Sequence, residues 1–189
     1  MRQQILQAAQ EVLRTHGLEQ LSLRLIAEQL DVTAATLYRY FDSKDAIVTT
    51  LVGEARQRLR ETMEQVPADL PPGNRLVSLG LSYLEYAKAY PALFQLAFLD
   101  VPSDRSSLAT PAQESSPYRL LLQAVEDAVR VGIFRPEVRE VPEVLAYSIW
   151  ALAHGMAVLE ATHLREFQAD FGAGHRMALR LLIEGMIKR

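Results

Sequence analysis

Apolar residues recur at intervals of three and four along almost the whole of this chain, and no segment alternates apolar with polar residues for long enough to make a half-buried strand. That pattern commits the fold to helices packed on helices. Ile5, Leu6, Ala9, Val12 and Leu13 mark one face of a first helix. It should stop at Gly17, where the missing Cβ suits the left-handed turn that follows a helix end. Ser22 is placed to cap a second helix, buried through Leu25, Ile26, Ala27 and Leu30, by accepting from its free backbone amides. Asp31 and Val32 make a tight turn. Thr33 then caps a short third helix ending near Phe41, and Ser43 caps a fourth that runs through Ile47, Leu51, Ala55 and Leu59 to about Gln65.

Pro67 and the Pro71-Pro72-Gly73-Asn74 cluster interrupt the pattern, so the chain is expected to divide into a first domain, residues 1–65, and a second, residues 66–189. In the second, one helix is expected over 75–89 with Leu76, Leu79, Tyr83 and Tyr86 on one side, and a short one over 91–98. Others should occupy 117–131, closed by Gly132, then Pro142 through about His163, and roughly 167–187. The stretch from Val101 to Pro117, rich in Ser, Pro, Asp and Thr, reads as a mobile loop. The fold class is therefore all-α, with about nine helices: a three-helix unit joined by a long fourth helix to a helical bundle.

Composition narrows the chemistry. With 49% of 189 residues apolar there is ample material for a core, and no run approaches the roughly 20 consecutive apolar residues of a membrane span. The amino terminus, Met1-Arg2-Gln3-Gln4, lacks the apolar core of a secretory signal, which leaves a soluble cytoplasmic protein as the expectation. The absence of cysteine excludes disulfides, thiolate catalysis and cysteine-bound zinc. Any metal would rest on His16, His154, His163 and His175, and neither an acid nor a second histidine stands at ligand spacing from His154 on its helix. No metal or cofactor is expected. Nor is an enzyme, since no nucleophile–base pair, carboxylate pair or metal set has a workable spacing. The formal net charge of −3 by itself points away from nucleic acid.

The segment Leu21 to Lys44, LSLRLIAEQLDVTAATLYRYFDSK, nevertheless has the layout of two short helices joined by a tight turn. That geometry lets the second helix lie in a major groove while the first crosses the backbone. Leu37 and Phe41, four apart, face the core with Val32, which leaves Thr33, Ala34, Ala35, Thr36, Tyr38, Arg39 and Tyr40 for other surfaces. A solvated face would favour Lys and Glu. Two tyrosines and an arginine beside small residues suit close approach to DNA, with hydroxyls to phosphates, methyls to thymine and guanidinium to guanine. Tyr38, next to Leu37, also fits a core aromatic with a wet hydroxyl. Residues 1–65 hold eight Lys and Arg against nine Asp and Glu, but Val32 to Phe41 holds one Arg and no acid, and the distribution matters more than the sum.

The run IAEQLDVTAATLYRYFDSKDAIV resembles the signature of the TetR family: a hydrophobic-Ala pair, the turn, Leu-Tyr, an aromatic pair and Ser-Lys. The likeness extends over about residues 2 to 55. It implies a helix-turn-helix transcriptional regulator, a ligand-responsive repressor that binds a palindromic operator in double-stranded DNA as a homodimer. It also implies that Thr33, Ala34, Ala35 and Arg39 lie at or near base edges, that Tyr38, Tyr40, Thr36 and Lys44 meet the phosphate backbone, and that Arg24 makes a further contact. Lys44 falls in the first turn of the fourth helix, where its ammonium and the free amides would hold one phosphate together. One departure is Asp31, at the turn position the family usually gives to Gly; Asp tolerates the left-handed conformation better than most residues.

Farther along, Trp150-Ala151-Leu152-Ala153-His154-Gly155 looks like the Trp-His-Gly signature of one C-terminal class in that family. The spacing puts Trp150 and His154 one turn apart on one face, with Gly155 permitting close packing. His154 suits a buried, hydrogen-bonded position or a pocket wall. A pocket for a small-molecule effector, apolar or partly aromatic, is expected among Tyr83, Tyr86, Phe94, Phe98, Trp150, His154 and Met177, each of which also suits plain core. Arg119 or Arg180 equally suits a carboxylate. The homodimer is expected to form through the last two long helices, by Leu145, Ile149, Leu152, Met156 and Leu159 on one and Met177, Leu181, Ile183 and Met186 on the other. The competing reading is a helical protein-interaction module on the same fold that acts without operator binding; a degraded recognition helix would favour it, and this one is intact.

Overall fold

The computed structural model describes residues 1–100, 116–167 and 169–188. Among them are ten α-helices: α1 (Arg2–Gln20), α2 (Leu23–Gln29), α3 (Ala34–Tyr38), α4 (Lys44–Glu64), α5 (Pro72–Ala89), α6 (Pro91–Gln95), α7 (Pro117–Arg130), α8 (Pro136–Arg139), α9 (Pro142–Ala161) and α10 (Gly172–Met186). A π-helical turn, Leu96–Asp100, follows α6. No strand occurs among the described residues, only an isolated antiparallel bridge between Phe134 and Ile187. The all-α expectation holds. The additional helix is α8, whose four residues are too few to show a period. The loop expected over 101–117 lies, apart from its last two residues, outside the described residues.

The chain forms two compact units, Met1–Arg56 with Tyr90–Asp104 and Gln57–Ala89 with Arg105–Arg189, so α4 contributes to both. The core of the first joins the predicted stripes of α1 and α2 to Leu37, Phe41, Ile47, Leu51 and Ala55. Leu93, Leu96 and Ala97 complete it, with α6 packed on α1. Nothing in the local pattern announces this return of the chain.

Each turn of the first unit has a local cause. Gly17, at φ 76°, kinks α1, and one further turn carries the helix to Gln20. Ser22 Oγ accepts from the Leu25 amide at 3.2 Å and Ser43 Oγ from the Ala46 amide at 3.1 Å, both as the sequence predicts. Thr33 occupies the N-cap of α3, but its hydroxyl meets that of Thr36 at 3.1 Å in place of a backbone amide. The regular part of α3 ends at Tyr38, short of Phe41, whose amide still bonds Leu37 O at 3.0 Å. Between α2 and α3, Asp31 takes φ 53°. Its amide bonds Glu28 O at 3.2 Å, and the Val32 amide reaches Ala27 O at 3.0 Å. This paired closure of a helix end is the Schellman motif.

In the second unit α5 packs against α7, α9 and α10. It starts at Pro72, earlier than the proline cluster suggested, because a proline at the first helical position lacks only an amide that would have no partner there. Leu76, Leu79, Tyr83 and Tyr86 are buried, as their spacing predicts. At Gly80 a Cβ would come within 2.8 Å of Leu179, so the absence of a side chain sets how closely α10 approaches.

The outward faces of α9 and α10 differ from the expected set. Leu145, Ile149, Ile183 and Met186 are buried within the unit. Leu159, Met177 and Leu181 are exposed, together with Val144 and Tyr147, which the sequence reading left out. By length and composition α9, 20 residues with mean hydropathy 1.4, is long and apolar enough to cross a membrane, contrary to the expectation from uninterrupted runs. Ser148, His154 and Gly155 interrupt the run without lowering its mean enough to matter. Beside Gly155 a Cβ would meet nothing within 4 Å, so the close packing expected there is not made among the described residues.

Candidate nucleic-acid interface

The capped start of α4, the Asp31 turn and the α2 core hold α3 so that Leu37 points inward and its neighbours outward. Thr33, Ala35, Tyr38, Arg39 and Tyr40 are exposed, while Ala34 and Thr36 are half-buried. Tyr38 is 56% exposed, so it does not serve as a core aromatic. The face therefore offers hydroxyls, methyls and one guanidinium with no acid among them, the donor set that reads base edges and phosphates.

The cations at its edges are already engaged. Arg24 Nε lies 2.8 Å from Glu28 Oε1 in an exposed pair one turn apart on α2. Such pairs contribute little and exchange readily for a phosphate. Lys44 Nζ donates to Leu18 O at 3.0 Å and so ties the start of α4 to the end of α1. An ammonium has three donors, which leaves the others for a phosphate. The sequence reading missed Arg2, whose guanidinium lies 4.8 Å above the Phe41 ring and 3.5 Å from Thr50 Oγ1. No local signal marks it, because its partners are distant in sequence.

In the second unit three of the residues expected to line a pocket come together. Tyr83 Oη lies 2.8 Å from His154 Nδ1, and the Trp150 and His154 rings are 5.7 Å apart. Burial pushes the Tyr83 phenol well up, and its hydrogen bond with Trp150 works the other way. Burial lowers the His154 pKa, which favours the neutral imidazole. Tyr118, absent from the expected set, stacks edge-on to Trp150 at 5.7 Å. Tyr86 is fully buried on α5. Phe94 and Phe98, 5.3 Å apart, belong to the first unit, and Met177 is 60% exposed. Arg119 pairs with Glu126 at 3.0 Å. Among the described residues no group of His, Asp and Glu is arranged to hold a metal ion.

Residues 5–51 match the family model of bacterial regulatory proteins, tetR family, and residues 76–182 match that of the tetracyclin repressor-like C-terminal domain. An uncharacterised HTH-type transcriptional regulator of Bacillus subtilis, YobS, is 20% identical over 183 residues, covering 97% of this chain and 91% of its own. The fold matches a protein of unknown function from Rhodococcus sp. RHA1 with a TM-score of 0.81 at 22% identity, covering 99% of this chain and 95% of that one. It also matches a TetR protein from Acinetobacter baumannii, solved in complex with minocycline, with a TM-score of 0.66 at 17% identity and coverage of 96% and 93%.

Proposed function

Because the chain belongs to the tetR family of bacterial regulatory proteins and is a transcriptional regulator of that kind, we propose that it is a ligand-responsive repressor, binding a palindromic operator as a homodimer. Regulators of this family are soluble DNA-binding proteins, and this one acts in the cytoplasm, where its operator is. The observation that carries the reading is the acid-free face of α3, exposed from Thr33 to Tyr40 around a buried Leu37. Arg39, with Thr33, Ala34 and Ala35, reads base edges. Tyr38, Tyr40, Thr36, Lys44 and Arg24 fix the register on phosphates.

One such helix reads only a few base pairs, so two copies are needed about one DNA turn, roughly 34 Å, apart. The exposed apolar residues of α9 and α10, with the open space beside Gly155, supply the surface for pairing. The minocycline complex of the Acinetobacter relative supports a small-molecule effector. The Trp150–Tyr83–His154 cluster with Tyr118 suits a partly aromatic one. Effector and operator then favour different dimer conformations, and each weakens the other by the same factor.

Footprinting of the purified chain on its own upstream intergenic DNA tests this. A protected palindrome that survives competitor DNA is the expected result. Absence of sequence-specific protection even at low salt would sink the reading.

A further inference from the structure

The second unit also contains a half-open cavity of about 480 Å³, bounded by the later turns of α5, the end of α9, the 162–171 connector and the first turns of α10. Neither Trp150 nor His154 lines it. Its volume is that of a site for a mid-sized molecule. Two of its acids lie against neighbours: Glu160 Oε1 is 2.8 Å from His175 Nε2 but accepts no hydrogen bond among the described residues, and Asp170 Oδ1 accepts from the Gly172 amide at 2.9 Å. Lys88, Arg165 and Arg176 line the cavity, are exposed, and have no side-chain hydrogen bond or ion pair among the described residues. Glu85 is the remaining acid, so three cations share the lining with three carboxylates, and the two guanidiniums have no carboxylate partner.

Beside these charges runs a flat wall. The Phe171 ring stacks on the His175 imidazole at 6.2 Å with an interplanar angle of 18°, and Phe167 follows at 6.1 Å from Phe171. Two guanidiniums match the planar, paired acceptors of a phosphate or carboxylate, and the ring wall matches a planar apolar body. We propose that this cavity binds an aromatic anion, an aryl phosphate or aryl carboxylate, at a site separate from the Trp150–Tyr83–His154 cluster. An occupant would bridge α5, α9 and α10, the last two of which carry the exposed apolar faces.

Calorimetric titration of the full chain with phenyl phosphate tests the site, with inorganic phosphate and phenol as its two halves. The expected result is saturable binding, at least roughly tenfold tighter than either half, and weakened roughly tenfold or more in an Arg165→Ser, Arg176→Ser double variant of unchanged Tm. Trp150→Phe should leave the affinity as it is. The proposal is overturned by the absence of saturable binding up to about 10 mM, by an unaltered affinity in the double variant, or by either half binding as tightly as phenyl phosphate. Operator footprinting on the same preparation separates the two readings: phenyl phosphate binding without any protected DNA removes the repressor and leaves this site.

Discussion

The two units leave opposite chemistries uncovered. The first closes its core around α1, α2 and α4 and exposes, on α3, hydroxyls and a guanidinium that water solvates well. The second exposes Val144, Tyr147 and Leu159 on α9 with Met177 and Leu181 on α10. Helix α9 is apolar enough for a membrane, yet only 28% of its most apolar window is buried. In the proposed reading a polyanion satisfies the first surface and a second apolar surface the second, so the two units call for two different partners.

The sharpest way to break this contrast is to make the second surface resemble the first. Leu181→Glu, 63% exposed in the single chain, should fold normally but place one carboxylate from each copy in an apolar interface. Burying an unpaired charge costs several kcal/mol. Sedimentation at micromolar concentration should therefore show monomer, and operator affinity should fall by about 4 kcal/mol or more, on the order of a thousandfold. Val131→Glu, equally exposed at the end of α7, is the control and should change neither. A dimeric Leu181→Glu protein would place the pairing surface elsewhere.

On the first surface the individual effects are smaller and differ in kind. Arg39→Ala should cost about 1–3 kcal/mol on the operator and blur its discrimination among operator variants. Lys44→Ala should weaken all sites alike and flatten the salt slope by about one unit. It should also lower stability by up to about 1 kcal/mol, because Leu18 O loses one of its two donors and keeps only the Leu21 amide. Gel-shift titrations over operator variants and salt separate the two. Indistinguishable behaviour would contradict the division between reading and positioning.

The units also differ in how far their sequences disclose them. In the first, the stripe from Ile5 to Leu13 and the Ser22 and Ser43 caps act within about five residues, the range over which a sequence pattern specifies geometry, while Gly17, expected to stop α1, only kinks it. The outward residues of α3 followed from the position of Leu37. In the second, α9 is apolar all round, so period alone cannot tell the inner Leu145 from the outer Val144. Phe94 and Phe98 fall in the first unit through the packing of α6 on α1, a contact from far along the chain that no local pattern marks. The Trp150–His154 spacing was legible. Its completion by Tyr83, from another helix, became specific only in three dimensions.

That completed cluster predicts a pH response confined to the second unit. Burial holds His154 below its ordinary pKa of 6.5. Between that lowered value and 6.5 the unfolded chain binds more protons than the folded one, so the stability this group contributes is present above 6.5 and is lost as pH falls through the window. Tyr83→Phe removes the hydroxyl that pairs with His154 Nδ1, and should lower stability by about 1 kcal/mol. His154→Gln should flatten the profile below neutrality. Thermal unfolding at several pH values reads both, and an unchanged profile in His154→Gln would assign the response to another group.

The smallest effect compares two turns built on one plan. Helix α7 ends as α2 does: the Gly132 amide bonds Val129 O at 2.9 Å and the Ile133 amide bonds Ala128 O at 3.3 Å, with Gly132 at φ 73°. Asp31 holds the same place at φ 53°. A side chain in that conformation is strained by roughly 1–2 kcal/mol, and for Asp by less. Asp31→Gly relieves the strain but gives the unfolded chain more freedom, so the net gain should be about 0.5 kcal/mol. Gly132→Asp should lose a comparable amount, because the added Cβ would meet only Lys188 Nζ at 3.9 Å and therefore tests φ alone. Urea midpoints at unchanged slope measure both. If Asp31→Gly is instead less stable, the Asp31 side chain stabilises the turn by more than its backbone strain costs, and the departure from the family's glycine is then an adaptation of the reading unit.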